Sequence, residues 1–159
     1  MTAHLYTIGY EGQTLEAFLR RLAELHVRLL VDVRELPLSR KRGFSKRALA
    51  AALTERGIAY THMPSLGCPR PIRDKLKADR DWPRYALEFG GYLRRQRDSV
   101  SELAKLSHAT TACLLCFEAD FAHCHRSIVA RAAAKIGAPS VVHITAETAI
   151  PDLVHRAAA

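Results

Sequence analysis

Positions 113 to 127 read C-L-L-C-F-E-A-D-F-A-H-C-H-R-S and hold three of the four cysteines, two acids and a crowded His-Cys-His-Arg. Three chemistries suit these residue types. Cysteine and histidine ligate zinc. A thiolate held beside cations is a nucleophile. Free backbone amides and cations at a helix start bind anions.

The spacing sorts these options. Cys113 and Cys116 form a C-x-x-C. They fall in an apolar run that reads as a strand, where residues three apart point to opposite faces. The two therefore cannot share an ion without a bulge, and Leu-Leu is the wrong filler for a metal knuckle. A looser set of Cys116, Cys124 and His125, with Cys68 or His62, stays open for four-coordinate zinc. His123-Cys124 followed by arginine suggests the phosphate loop of cysteine phosphatases. The arginines after Cys124 are Arg126 and Arg131, at the wrong spacing, and the glycines of a phosphate cradle are missing. L-L-V-D-V-R-E at 29–35 resembles a phrase of the rhodaneses. Here, however, the loop from Cys116 to Arg126 is far longer than the rhodanese cradle. What the residues support most simply is Cys124 at a helix N-terminus beside His125 and Arg126. The helix dipole and the cations there favour both a thiolate and a bound anion. Glu118 is placed to act as acid or base, or to orient Arg126. Cys113 reads as a small core residue.

These residues need elements to hold them. Short β-rich runs at 5–8, 28–34, 58–62, 110–116 and 140–144 alternate with helical periods at 14–25, 45–56, 84–97, 99–107 and 127–135, and a short C-terminal helix is expected. Residues 63–83 carry Pro64, Gly67, Pro69, Pro71 and Pro83 and read as a long, Pro-rich, lid-like loop. The alternation implies β-α-β units. The expectation is one three-layer α/β/α domain over 1–159, Rossmann-like, with about five mostly parallel strands. Ligands in such sheets bind at the carboxyl edge.

The polar residues fall along that edge. Gly9, Tyr10 and Glu11 follow the first strand, Asp32 and Arg34 end the second, His62 ends the third, and Cys116 and Glu118 end the fourth. Cys124, His125 and Arg126 open the next helix. Asp32 is equally suited to fixing the turn after its strand or pairing with Arg34. A single histidine at a strand end, such as His62, is more often a hydrogen-bonded packing residue than a ligand. A basic run of Arg40, Lys41, Arg42, Lys46 and Arg47 surrounds Gly43 and Phe44 on the same edge. It would neutralise phosphates, with Phe44 available to stack on a base.

The bulk numbers set the frame. The 159 residues carry 24 Lys plus Arg against 16 Asp plus Glu, a net charge of +8, which favours anionic partners. No apolar run approaches a membrane span, and the N-terminus lacks the pattern of a secretory signal. Four cysteines in a chain of this size do not suggest a disulfide framework. The expectation is a cytoplasmic protein with reduced thiols, no cofactor and no membrane partner.

T-I-G-Y-E-G at 7–12, L-V-D-V-R at 30–34, G-I-A-Y-T-H at 57–62, P-S-L-G at 64–67, and C-F-E with C-H-R at 116–126 together resemble the family of domain of unknown function 488. The family's usual L-G-G stands here as Leu66-Gly67-Cys68, which adds a thiol. The resemblance implies a compact α/β fold with a strand-edge site and brings no established reaction.

The expected function is an enzyme, or an enzyme-like module, binding a phosphate-bearing ligand, a nucleotide or nucleic acid. Glu118, Cys124 and Asp32 are its candidate catalytic residues. Gly9, Tyr10, Glu11, Arg34, Arg42, His62, Cys116, His125 and Arg126 are its candidate ligand-binding residues. The alternatives are a non-catalytic nucleic-acid-binding protein, a rhodanese-like thiolate enzyme and a zinc-stabilised domain.

Overall fold

The computed structural model describes residues 3–152. The expected C-terminal helix lies outside them. Six strands form one sheet: β1 (His4–Gly9), β2 (Leu29–Asp32), β3 (Ala59–His62), β4 (Ala112–Cys116), β5 (Ser140–Ile144) and β6 (Ala149–Pro151). Their order is β3-β2-β4-β1-β5-β6. The first five are parallel, and β6 pairs antiparallel with β5. Six helices flank them: α1 (Leu15–Glu24), α2 (Lys46–Glu55), α3 (Arg70–Asp79), α4 (Trp82–Arg94), α5 (Arg97–Ala109) and α6 (His125–Lys135). This is the three-layer, mostly parallel, Rossmann-like α/β fold that the alternation implies. No described helix is long and apolar enough to cross a membrane.

Two cores hold the layers. On one face, Ile8, Leu30, Cys113 and Leu115 meet Phe18, Leu19 and Leu22 of α1 and Leu49 and Leu53 of α2. On the other, Leu5, Val31, Val33 and Leu114 meet Tyr85, Phe89 and Leu93 of α4, Leu103 of α5, and Val129, Ala130 and Ala133 of α6. Each fully buried Leu or Phe contributes roughly 1.5–3 kcal/mol. All of β4 is buried. Its alternation puts Cys113 against α1 and α2, and Cys116 on the side of α6.

Residues 63–83 differ from the expected loop. A 3₁₀ turn spans Pro64–Leu66, and α3 follows with Pro69 at its N-cap and Pro71 in its first turn. Proline is favoured at a helix start because the missing N–H would have no partner there anyway. Asp81 then caps α4 by accepting from the Arg84 amide, with Pro83 in the first turn. The prolines that look like breakers are helix openers.

Candidate functional site

β4 lies between β1 and β2, so three strand ends meet. Gly9 sits in register with Cys116, and Asp32 with Leu115. The chain leaving β1 enters α1 on one face, and the chain leaving β4 enters α6 on the other. A crevice opens where neighbouring strands send their chains to opposite sides.

Four reactive side chains converge there. Cys116 Sγ lies 3.1 Å from Glu118 Oε2, and Cys124 Sγ lies 3.4 Å from the same oxygen. His125 Nδ1 is 3.9 Å from Cys124 Sγ. One ligand atom from each of the four falls within 4.8 Å of all the others. Cys116, Cys124 and His125 are buried, whereas Glu118 is exposed. The structure pairs the two sulfurs at bonding contact and leaves Cys68 and Cys113 as the free thiols among the described residues, against the expectation that all four are reduced, yet the paired Cα atoms stand 7.9 Å apart. That exceeds the roughly 4.4–6.8 Å spanned by a relaxed disulfide.

His125 has a defined proton arrangement. Its Nε2 is 2.7 Å from the Val33 carbonyl oxygen, which can only accept. The ring proton therefore sits on Nε2, and the Nδ1 lone pair faces Cys124. Burial lowers the His125 pKa and keeps the ring neutral.

The surroundings are built to hold this cluster. Arg126 is wholly buried. Its Nε donates to Thr7 Oγ1 at 3.2 Å, its Nη1 to Cys116 Sγ at 3.3 Å and to the Glu118 carbonyl, and its Nη2 to the Ala119 carbonyl at 3.4 Å. No carboxylate pairs with it among the described residues. Burial lowers its pKa to about 10. Gly9 lets the Glu118 segment descend: a Cβ there would fall 1.7 Å from the Glu118 carbonyl oxygen. Glu11 accepts from the Ala119 amide at 3.0 Å and secures the same segment.

Asp32 and Arg34 form a second unit. Asp32 is fully buried and takes Arg34 Nε at 2.9 Å and Nη2 at 2.7 Å, with the Tyr60 hydroxyl also donating to it. Arg34 further donates to the Phe44 carbonyl at 2.7 Å and the Tyr10 hydroxyl at 3.3 Å. Burial opposes the Arg34 charge, but its bonds to Asp32 and Tyr10 outweigh that and raise its pKa. Tyr10 stacks on Phe44 with ring centroids 4.5 Å apart. His62 Nε2 bonds the Arg34 carbonyl at 2.7 Å and stands behind this unit.

The cluster opens on a cleft of about 670 Å³. Tyr10, Arg34, Cys116, Glu118, Cys124 and His125 line it. Asp32, Gly9, Glu11, His62 and Arg126 do not line it, and neither does exposed Arg42. The wall also carries Arg40, Arg73, Lys77, Leu36, Leu38 and Phe117. Arg73 is shared with Glu35 at 2.9 Å. Cys68 and Tyr85 complete it, and burial pushes the Cys68 thiol up to about 11. Gly67 brings the Cys68 segment in, because a Cβ there would fall 2.4 Å from the Glu35 amide nitrogen. A larger groove of about 970 Å³ runs over α4, α5 and α6 but holds none of the cluster's residues.

Arg73 and Lys77 escape the sequence reading because their segment looks like a loop, and Tyr85, inside the expected helix at 84–97, because nothing local shows that it faces the cleft. The signal was there: Arg70, Arg73 and Lys77 recur at helical spacing directly after Pro69.

The model of a family described as a domain of unknown function, DUF488, matches residues 14–133. No curated protein and no solved structure matches the chain.

Proposed function

The chain belongs to the DUF488 family, and since the family brings no reaction with it, we propose that it is an enzyme acting on a phosphate-bearing ligand of nucleotide type. The ligand binds in the cleft at the carboxyl edge of the sheet. One observation carries this reading: a single cleft joins the Cys116, Glu118, Cys124 and His125 cluster to the cations Arg40, Arg73 and Lys77. Its volume falls within the range of small-molecule sites. Arg40 and Lys77 are exposed and point charge at an incoming phosphate. Phe117, 44% exposed, offers a face for a base. Glu118 is the acid/base group, being the exposed member of the cluster. Arg34 and Arg126 position the site from within, since their N–H groups are taken up by protein acceptors.

The test is calorimetric titration of the full chain with nucleoside mono-, di- and triphosphates. Loss of one charge-assisted contact costs about 1.5 kcal/mol, roughly tenfold in Kd. Arg40→Ala and Lys77→Ala should each weaken binding by about that factor. No binding of any phosphate-bearing probe would contradict the reading. So would steeply salt-dependent binding that neither variant changes, which marks a non-catalytic basic surface.

A further inference from the structure

We infer that Cys116, Cys124 and His125, with Glu118 as the fourth ligand, form a zinc site. The inference rests on the reading of this cluster as the reactive centre of the cleft and names the ion that it holds.

The donor set argues first. Two sulfurs, one imidazole nitrogen and one carboxylate oxygen within 4.8 Å of each other match zinc in type and number. Thiolate and imidazole select against magnesium and calcium, which take oxygen. His125 is already prepared as a ligand. Its Nε2–H is held by the Val33 carbonyl, the outer contact that metal-bound histidines usually make, and its Nδ1 faces the sulfurs.

Arg126 argues independently. A wholly buried guanidinium with no carboxylate partner is costly. Its bonds go to a hydroxyl, two carbonyls and the sulfur of Cys116. Two thiolates and a carboxylate around a divalent ion leave one net negative charge. That charge lies against Arg126 Nη1, which stands 3.3 Å from the Cys116 sulfur. Zinc holds the Cys116 and Cys124 thiols as thiolates, and their charge faces Arg126 together with the more distant carboxylates of Glu118 and Asp120.

A Cys116–Cys124 cross-link is the competing account of these sulfurs. The 7.9 Å between the Cα atoms would have to shorten for a relaxed one. An ion held by both sulfurs instead needs them to part to roughly 3.8 Å, the spacing of two thiolates on a tetrahedral zinc, and the wide Cα separation accommodates that. The burial pattern also divides the ligands. Cys116, Cys124 and His125 are buried, and Glu118 is exposed toward the cleft. The fourth position is therefore exchangeable: Glu118 fills it in the free chain and, once a cleft ligand displaces it from the ion, serves as the acid/base group.

The experiment uses the full chain purified under reducing conditions without chelators. Elemental analysis should find about one zinc per chain. Cobalt(II) added to the metal-free chain should give the sulfur-to-cobalt charge-transfer band and the strong visible absorption of a four-coordinate ion. Cys116→Ser and Cys124→Ser should each lose the zinc, and Cys113→Ala, on the far face of β4, should keep it. Glu118→Gln replaces the one exposed ligand by a weaker neutral donor and should weaken zinc affinity while retaining the fold. The cobalt spectrum of the unaltered chain stands even where a cysteine variant fails to fold. A metal-free, folded chain without the charge-transfer band overturns the inference. Zinc retained by the Cys116→Ser/Cys124→Ser double variant also overturns it, as does a Cys116–Cys124 disulfide in the reduced preparation. Nucleotide titration separates the two readings. Nucleotide binding by a chain that takes no metal sinks the zinc site alone. A full zinc site without nucleotide binding sinks the substrate reading alone.

Discussion

Asp32→Asn isolates one buried charge. Asp32 is fully buried and receives Arg34 at 2.9 and 2.7 Å, and Arg34 is itself only 7% exposed. Asparagine keeps the shape and removes the charge, leaving the guanidinium buried without its counter-ion. Removing one partner of such a pair costs about 3–5 kcal/mol. Arg34 keeps its bonds to the Phe44 carbonyl and the Tyr10 hydroxyl, so a value near the middle, about 4 kcal/mol, is expected. For a chain of this size that lowers Tm by about 8–16 °C. Urea unfolding followed by circular dichroism would move its midpoint down by about 2 M. The double variant Asp32→Asn/Arg34→Met removes the orphaned charge as well and should recover about half of the loss. A single variant within about 1 kcal/mol of the parent would mean that Arg34 does not depend on the Asp32 charge. So would a double variant less stable than the single one, since that would place the energy in packing rather than in charge.

Two further predictions follow from the same geometry. Gly9→Ala forces a Cβ to 1.7 Å from the Glu118 carbonyl, so it should cost about 3 kcal/mol in urea unfolding and weaken nucleotide binding by displacing Glu118; unchanged stability would show that the segment yields freely. His143 is fully buried and burial lowers its pKa to about 4. The unfolded chain then binds more protons as pH falls below about 6.5, so stability present above that pH is lost progressively down to about 4. The slope from this group is at most about 1.4 kcal/mol per pH unit, and urea unfolding of the parent and His143→Gln should differ in slope across that window; equal slopes would exclude it.

Much of the fold was legible because the strands are short, buried and separated by well-capped helical periods. L-L-V-D and A-C-L-L-C can hardly be anything but interior strands of a parallel sheet. Strand ends and helix starts share one edge in such a sheet, and this brought Cys116, Glu118, Cys124 and His125 into one neighbourhood before any coordinates. Three features were hidden for physical reasons. α3 begins with prolines that also end helices, so its start resembled a loop. β6 is three residues long and exists only through pairing with β5. Arg126 and Arg34 read in the sequence as ligand-binding cations at the strand edge, and their burial is not visible there. What buries them is non-local: Thr7 and the 118–119 carbonyls for Arg126, and Asp32, Tyr10 and Phe44 for Arg34. Local pattern does not report such partners.

If the cleft above Cys116, Glu118, Cys124 and His125 binds a phosphate-bearing ligand, a bound nucleotide must lie across that cluster. A crystal structure of the full chain with zinc and a nucleoside triphosphate tests it most directly. Phosphate oxygens should lie within hydrogen-bond reach of Arg40 and Lys77, a base against Phe117, and the ligand in contact with Glu118. A nucleotide seated in the groove over α4, α5 and α6, or on the outer face of the 40–47 run, would contradict it.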